Sequence, residues 1–379
     1  MADNIQNPFP VVGYYGKKYF CDRETELASL SRNIRNGINT TLLSVRRLGK
    51  SALIWRLFEE FEEEKEFLHV YSDIYATQDL KSFTETLVQS VLRQIPEHKP
   101  IGRKFFELLK GFHPVISYDS LTGQPEVSFE FTQPQGCERT LQSVFQFLER
   151  QKQPVLIAID EFQQVACYPE TNAEAILRTI IQQLTNVYFI FSGSNKHMML
   201  EIFGSAKRPF FSSTQMLRLS AISNDKYEAF IRMQFEIYNR CITIDAIRFV
   251  LEWTRSHTYY TQVVCNRLFS TQLKKVTIEE VRKVCSELLI DQQTIYIQYR
   301  NLLSPVQWYL LIGIAKEEKV YQPQASAFLK QYKIGSSAGS KRALDALLAK
   351  EMIYSDENEK GTYYQVYNVF LLRWLQLTF

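Results

Sequence analysis

The sequence predicts a mixed α/β protein with a parallel sheet domain, a small helical domain, and a C-terminal domain of helices and two strands. In residues 40–220, short apolar runs alternate with helical segments, which is typical of a parallel sheet flanked by helices. From residue 224 to about residue 295, apolar side chains keep only helical spacing. We therefore place the three domains at residues 1–222, 223–298 and 299–379.

Five apolar runs of the first domain predict its strands. Four of them are nearly continuous, as expected for strands that are buried on both faces of a parallel sheet. The runs are residues 40–45, 67–74, 154–160, 187–193 and 216–220.

Residues 97–136 interrupt this alternation. Apolar and polar residues alternate on both sides of the turn-rich segment SLTGQP, which predicts an inserted β-hairpin. Its aromatic residues Tyr118, Phe129 and Phe131 either pack on the core or form an interaction surface.

The C-terminal domain is predicted to be a winged helix-turn-helix, because three helical segments precede two strands around the turn-like DENEKG. Residues 340–350 are the candidate recognition helix. Residues 302–379 contain nine Lys/Arg and seven Asp/Glu, and the wing is acidic, whereas a DNA-reading domain gathers a basic stripe. Lys341 and Arg342 could still contact DNA, so DNA binding and a packing or protein-docking role both remain open, and charge favours the second.

Composition excludes several classes of protein. The chain has 44 basic and 41 acidic residues, so net charge gives no argument for a dedicated nucleic-acid or membrane binder. The six cysteines are scattered, without C-x-x-C or zinc-ligand spacing, and are interpreted as reduced packing residues. No apolar run approaches the roughly twenty residues that cross a bilayer. The N-terminus lacks the basic and apolar regions of a signal peptide, so we expect a cytoplasmic protein.

Residues 41–54, TLLSVRRLGKSALI, contain a near match to a phosphate-binding loop (P loop), whose pattern is G-x-x-x-x-G-K-S/T. A strand precedes the loop and a helix follows it, so backbone N–H groups and the helix N-terminus could bind phosphates. Gly49 would admit the phosphate, Lys50 would reach its oxygens, and Ser51 would ligate Mg²⁺. Ser44 stands where the pattern has its first glycine, so for the loop alone a chance match remains the alternative.

Nucleotide contacts are assigned to the loop and to the first residues of the following helix. Arg46 and Arg47 are expected to form ion pairs or a positive field rather than to take part in chemistry. The assigned residues are Arg46, Arg47, Leu48, Gly49, Lys50, Ser51 and Ala52.

A second motif, PVLIAIDEFQQV, is a buried strand that ends in Asp160 and Glu161. An aspartate at the tip of a strand beside the loop strand can hold Mg²⁺, and the next glutamate can polarise the attacking water. The alternative is an acidic pair that caps the next element. Two motifs in the expected order favour the first interpretation.

Two further side chains are candidates for chemistry at a γ-phosphate. Ser194 follows the strand at residues 187–193, where its hydroxyl could sense phosphate or orient water; the alternative is that Ser194 or Asn195 caps the next helix. Arg208 could act as an arginine finger, and its alternative is a solvated surface arginine.

These motifs together resemble the archaeal-type ATPase family of the AAA+ superfamily, which is allied to the STAND group of P-loop NTPases. The segments that carry the resemblance are FCDRETEL (20–27), SVRRLGKS (44–51), AIDEFQQV (158–165), FSGSNKHMM (191–199), RPFF (208–211) and SHTYYTQ (256–262).

The resemblance implies an AAA+ core, a helical lid and a C-terminal winged helix. The family's D-R-E-x-E-L box corresponds here to residues 22–27 and lies near the adenine in the family, so Asp22 and Arg23 are predicted nucleotide contacts. Its lid motif, G-H-P-Y-Y, corresponds to residues 256–260, where Ser256 and Thr258 depart from the pattern.

Two functions follow as hypotheses. In the first, the protein is an Mg²⁺-dependent ATPase switch that turns over slowly, and its nucleotide state positions the lid and the winged helix. In the second, ATP stabilises a DNA-binding or protein-docking adaptor with little turnover. A protein partner suits either hypothesis, DNA is not favoured by charge, no membrane contact is predicted, and the sequence leaves the oligomeric state open.

Overall fold

The computed structural model of the protein describes residues 6–95, 100–121, 123, 125–130 and 136–379. The chain divides into two units by its internal contacts. Residues 12–221 form one, called here the sheet unit, and residues 222–379 together with the N-terminal residues 6–11 form the other, called the helical unit.

The predicted strands of the sheet unit are all present, and helices connect them. Two short 3₁₀ helices, Lys17–Tyr19 and Phe162–Cys167, complete the unit. The strands are β1 (Thr40–Leu43), β2 (Leu68–Asp73), β3 (Pro114–Tyr118), β4 (Pro125–Phe129), β5 (Val155–Asp160), β6 (Val187–Gly193) and β7 (Gln215–Arg218). The helices are α1 (Glu24–Arg35), α2 (Lys50–Glu64), α3 (Leu80–Gln94), α4 (Pro100–Lys110), α5 (Gly136–Glu149), α6 (Ala173–Ile181) and α7 (Lys196–Gly204).

Five strands form one parallel sheet in the order β2-β5-β6-β1-β7. This order corrects one expectation, because the strand that ends in Asp160 does not lie beside the P-loop strand. Strand β6 separates β5 from β1. The apolar pattern shows that a strand is buried but carries no record of its neighbours, so the order could not be obtained from it. Strands β5 and β6 are neighbours, so the tips that carry Asp160 and Ser194 lie side by side.

The sheet has an apolar core on each face. Along β5, Leu156 and Ala158 belong to the cluster with α1 and α2, whereas Ile157 and Ile159 belong to the cluster with α3, α5 and α6. All six residues of β5 are buried. Successive side chains of a strand point to opposite faces, so a continuous apolar run buries both of them. This packing fixes the tips of β1, β5 and β6, where the predicted motifs lie.

The predicted hairpin insertion is present as the antiparallel pair β3 and β4. Phe129 is buried in the core of the sheet unit, and Tyr118 is exposed. Packing on the core therefore holds for Phe129 and not for Tyr118. Phe131 lies outside the described residues.

The helical unit contains the predicted lid and winged-helix segments. Its helices are α8 (Asn224–Glu236), α9 (Ile244–Thr254), α10 (Thr258–Ser270), α11 (Ile278–Leu302), α12 (Pro305–Glu317), α13 (Ser326–Gln331), α14 (Ser337–Ala349) and α15 (Val369–Thr378). Its strands are β8 (Cys241–Ile242), β9 (Lys275–Val276), β10 (Ile353–Asn358) and β11 (Gly361–Val366).

The lid segment is not purely helical, contrary to the prediction. Strands β8 and β9 form a short parallel pair. Two residues per strand are too few to show a period of two in the sequence, which is why apolar spacing missed them. The N-terminal segment packs on helices α8 and α10. The ring centroid of Phe9 lies 5.5 Å from that of Phe235 and 6.1 Å from that of Phe269.

The winged helix has its wing in β10 and β11 and its candidate recognition helix in α14. That helix begins at Ser337, because the Ser336 hydroxyl accepts the Gly339 N–H at 3.1 Å and caps the first turn. Helix α15, which the sequence did not predict, follows the wing. Arg373 of α15 donates to the α9 carbonyls of Trp253 (2.9 Å) and Glu252 (3.0 Å). These hydrogen bonds join the winged-helix segment to the lid segment. Among the described helices, none combines the length and apolar character that crossing a bilayer requires.

Candidate functional site

The loop between β1 and α2 has the backbone of a phosphate site. Gly49 lies at the N-cap of α2 with φ of 97°, in the left-handed region that favours glycine. A Cβ added there would meet no atom within 4 Å, so the requirement for glycine is conformational rather than steric. No side chain caps this helix start, and its first N–H groups remain as donors for an anion.

Lys50 is a buried cation at this loop, with 6% of its surface exposed. Its ammonium group donates to the Ser44 hydroxyl at 3.2 Å, and that hydroxyl donates to the Val45 carbonyl at 2.7 Å. Burial lowers the pKa of Lys50, and the charges of Asp160 and Glu161 act in the opposite direction. A phosphate would supply the opposite charge at short range, which is what a buried ammonium group needs.

The two main motifs meet in one hydrogen bond. The Ser51 hydroxyl, on α2, lies 2.9 Å from Asp160 Oδ2 at the tip of β5. Tyr71 donates to the same oxygen, Ser192 donates to Oδ1, and the Glu161 N–H lies 3.0 Å from Oδ1. A serine hydroxyl beside a carboxylate is an oxygen donor set that suits Mg²⁺. The Tyr71 hydroxyl was not predicted, because it belongs to no motif. Ser192 lies in the segment FSGSNKHMM, but its contact with Asp160 was not predicted.

Glu161 is held at the edge of the same site. Its backbone is left-handed, with φ of 60°, a strained conformation for a residue with a side chain. Its Oε2 accepts from the Ser194 hydroxyl at 2.7 Å and from the Gln163 amide. Arg46 of the P loop donates to the same Ser194 hydroxyl at 3.2 Å, so a chain of polar contacts connects the loop to the glutamate. Gln163 was also not predicted.

The two alternatives for the end of β6 apply to neighbouring residues. Asn195 is the N-cap of α7, and its side chain accepts the Met198 N–H at 3.1 Å. Ser194 instead contacts Glu161 and Arg46. Ser194 thus contacts two other predicted site residues, and its role at a γ-phosphate remains a prediction.

Arg208 forms ion pairs with two helices of the sheet unit. Its guanidinium lies 2.6 Å from Glu174 of α6 and 3.8 Å from Glu201 of α7. Arg208 is therefore an ion-paired residue and not a solvated surface arginine. Its predicted role at a γ-phosphate remains a prediction.

The N-terminal box contacts the P loop through Arg23. Both Asp22 and Arg23 have positive φ, 59° and 75°. The Arg23 guanidinium is buried and donates to the Ser220 carbonyl at 2.6 Å, to Glu26 at 2.8 Å and to the Leu48 carbonyl at 3.5 Å. Arg23 thereby contacts the backbone of the loop from outside the loop itself.

The other loop residues differ in exposure. Arg47 is exposed, and Ser51 and Ala52 are partly buried in the first turn of α2. The lid segment belongs to the helical unit, where the Ser256 hydroxyl donates to Asn224 at 2.6 Å and the Tyr260 ring lies 4.7 Å from Phe370.

Two family models match the chain. Residues 20–235 match an ATPase domain found predominantly in Archaea, and residues 294–377 match a probable winged helix domain. The chain belongs to this family of ATPases. This archaeal-type ATPase is therefore an ATP-binding P-loop NTPase with a C-terminal winged helix, as the sequence motifs predicted.

Solved structures share the fold of the archaeal-type ATPase at low sequence identity. A Walker-type ATPase of Pyrococcus abyssi is 16% identical, with 97% of this chain and 99% of that chain covered and a TM-score of 0.66. The ORC2 protein of Aeropyrum pernix, in ADPNP and ADP complexes, is 14% identical, with 94% and 93% covered and a TM-score of 0.55. The ORC1 protein of the same organism, in complex with DNA, is 12% identical, with 98% and 97% covered and a TM-score of 0.52. No curated protein sequence matches the chain.

Proposed function

We propose that this protein is an Mg²⁺-dependent ATPase whose nucleotide state controls the position of the lid and the winged helix. The observation that carries the proposal is the hydrogen bond of 2.9 Å between the Ser51 hydroxyl and Asp160 Oδ2. It joins the P loop to the acidic motif at the end of β5 in one oxygen-lined site. A P-loop NTPase holds Mg²⁺ with these two residue types.

In this proposal the chain binds ATP through the P loop. The first N–H groups of α2 and the Lys50 ammonium group bind the phosphates, and Arg23 keeps the loop backbone in place through Leu48. Ser51 and Asp160 would hold Mg²⁺, which neutralises charge that develops on the phosphate oxygens. Asp22, Arg46, Arg47 and Ala52 complete the predicted nucleotide contacts.

Glu161 is proposed to polarise the attacking water. Ser194 holds its carboxylate at 2.7 Å and connects it to Arg46, so occupancy of the loop can change the position of the glutamate. Positioning and electrostatic stabilisation supply most of the catalysis in phosphoryl transfer. Arg208 is retained as a proposed stabiliser of transition-state charge, which requires it to leave Glu174.

Measurements of ATP binding and turnover test the assigned roles of Lys50 and Glu161. We expect Lys50→Ala to abolish nucleotide binding measured by calorimetry, and Lys81→Ala, at an exposed lysine of α3, to bind like the parent. We expect Glu161→Gln to keep binding and to lose turnover by about 10²-fold or more, while Glu63→Gln, at an exposed glutamate of α2, keeps both. If Lys50→Ala binds and hydrolyses ATP like the parent, the proposal fails.

The switch is tested by hydrogen exchange of the nucleotide-free, ADP-bound and ATP-bound protein, with Glu161→Gln used to hold ATP. We expect protection within residues 222–379 to differ between ATP and ADP. Equal protection in all three states, with no turnover by the parent, would favour the alternative of a nucleotide-stabilised adaptor.

DNA contact by the winged helix is the second candidate. Lys341 and Arg342 are exposed in the first turns of α14, and the similar ORC1 protein was solved in complex with DNA. The acidic wing opposes it. Salt-dependent retention on duplex DNA that Lys341→Ala/Arg342→Ala weakens would support DNA contact, and absence of binding at low salt would end it.

A further inference from the structure

The carboxylate of Asp160 is held by three hydroxyls from three different elements. Ser51 of α2 and Tyr71 of β2 donate to Oδ2, and Ser192 of β6 donates to Oδ1. The Glu161 N–H adds a fourth donor to Oδ1. Asp160 is 5% exposed, so solvent contributes little to the orientation of its carboxylate. The protein side chains therefore set that orientation.

Tyr71 is fixed independently of its contact with Asp160. It lies on β2 and pairs in register with Ala158 of β5. Its ring packs against Trp55 of α2, with ring centroids 5.1 Å apart and planes inclined by 34°. Trp55 in turn packs edge-on against Phe58. With the ring held in this way, the phenol hydroxyl has a defined direction, and it donates to Asp160.

The Tyr71 hydroxyl is a donor to the carboxylate and brings no negative charge of its own. Ser51, at the same carboxylate oxygen, is the group assigned to Mg²⁺.

Neighbouring donors that orient a metal-binding carboxylate tune the affinity for the metal. We propose that Tyr71 is a positioning residue that fixes the Asp160 carboxylate beside Ser51 and thereby sets the affinity of the nucleotide-bound protein for Mg²⁺. This inference rests on the proposed function. It goes beyond it because Tyr71 belongs to no recognised motif and is proposed to act through Asp160.

The test compares Tyr71→Phe with Tyr188→Phe. Tyr71→Phe keeps the ring that packs on Trp55 and removes only the hydroxyl. Tyr188, on β6 of the same sheet, donates its hydroxyl to the Thr185 carbonyl at 3.1 Å and is the matched control. ATP affinity is measured by calorimetry in EDTA and across a Mg²⁺ titration, and the urea midpoint of unfolding is measured for each protein.

We expect Tyr71→Phe to need about 10–100 times more Mg²⁺ for half-maximal enhancement of ATP affinity. Its affinity in EDTA and its urea midpoint should equal those of the parent, and Tyr188→Phe should match the parent in all three measurements. The same Mg²⁺ half-saturation in Tyr71→Phe and parent would overturn the inference and leave the proposed function intact. If Tyr71→Phe instead lowers the ATP affinity in EDTA and also lowers the urea midpoint, the inference is overturned, because both losses indicate a purely structural role. If the parent itself binds no ATP, the proposed function has failed first.

Discussion

The Lys50 ammonium group donates its hydrogen bond to the hydroxyl of Ser44, the residue that replaces the first glycine of the P-loop pattern. The serine is therefore compatible with the loop, and in the absence of phosphate it provides a partner for the buried lysine. We therefore expect Ser44 to compete with a bound phosphate for Lys50.

Removing this hydroxyl should leave ATP affinity unchanged or raise it. For Ser44→Ala we expect a Kd between that of the parent and one about tenfold lower, since the hydrogen bond from the ammonium group to Ser44 contributes on the order of 1.5 kcal/mol. Ser44→Gly separates backbone freedom from the hydroxyl and should behave similarly. Calorimetry measures both variants. Binding more than tenfold weaker in Ser44→Ala would mean that the hydroxyl contributes directly to the nucleotide site.

Gly193 is predicted to be intolerant of a side chain, because β6 passes close to Gln163 and Met199. A Cβ at Gly193 would lie 2.7 Å from Met199 Sδ and closer still to Gln163 Oε1. Gly193→Ala should therefore destabilise the protein by about 1–3 kcal/mol through overpacking. It should also lower turnover by displacing Gln163 from Glu161. Gly204→Ala is the control, since its Cβ would meet only Met216 Cε, at 3.5 Å. Urea unfolding of both variants tests the prediction. Equal unfolding midpoints for Gly193→Ala and Gly204→Ala would refute it.

Arg208 is predicted to stabilise the fold through its ion pair with Glu174. Glu174 is 8% exposed; burial raises its pKa, and Arg208 acts in the opposite direction. Arg208→Ala would leave a buried carboxylate without its partner, which should cost about 1–3 kcal/mol. Adding Glu174→Gln should recover part of that loss. An unchanged urea midpoint in Arg208→Ala, together with a turnover loss of about 10³-fold, would instead support the arginine-finger role.

His69 is predicted to make stability depend on pH. His69 is buried on β2. Its ring centroid lies 4.6 Å from that of Phe58, and its Nε2 atom lies 2.9 Å from Gln94 Nε2. Burial lowers the pKa of His69, and the charge of Glu62 acts weakly in the opposite direction. Below about pH 6.5 the unfolded chain protonates this histidine first, so stability should fall as pH falls towards the lowered pKa.

The slope from one such histidine is at most about 1.4 kcal/mol per pH unit. The urea free energies of unfolding at pH 7.5, 6.5 and 5.5 should fall less steeply in His69→Gln than in the parent. His197→Gln, at an exposed histidine of α7, should keep the slope of the parent. Identical slopes for His69→Gln and parent would show that His69 does not titrate differently in the folded and unfolded states.

The sequence by itself determined the strands of the parallel sheet and the two motifs. Buried parallel strands are continuous apolar runs, and a P loop needs its strand, glycine, lysine and helix in one continuous segment, so both are local features that a sequence pattern records. The observed strands and the contact between Ser51 and Asp160 agree with what those patterns indicate. Helix α15 was missed because its apolar run directly follows a strand and resembles its continuation.

The tertiary structure alone decided the strand order and the side chains that complete the site. Tyr71 and Ser192 reach Asp160 because β2, β5 and β6 are neighbours in the sheet. A single tyrosine hydroxyl has no period and no spacing rule, so nothing in its own segment distinguishes Tyr71 from an ordinary strand residue, and the segment FSGSNKHMM does not specify which partner Ser192 contacts. Such groups acquire their role only when distant segments are brought together, which hydrophobic burial of the whole sheet accomplishes and no local pattern specifies.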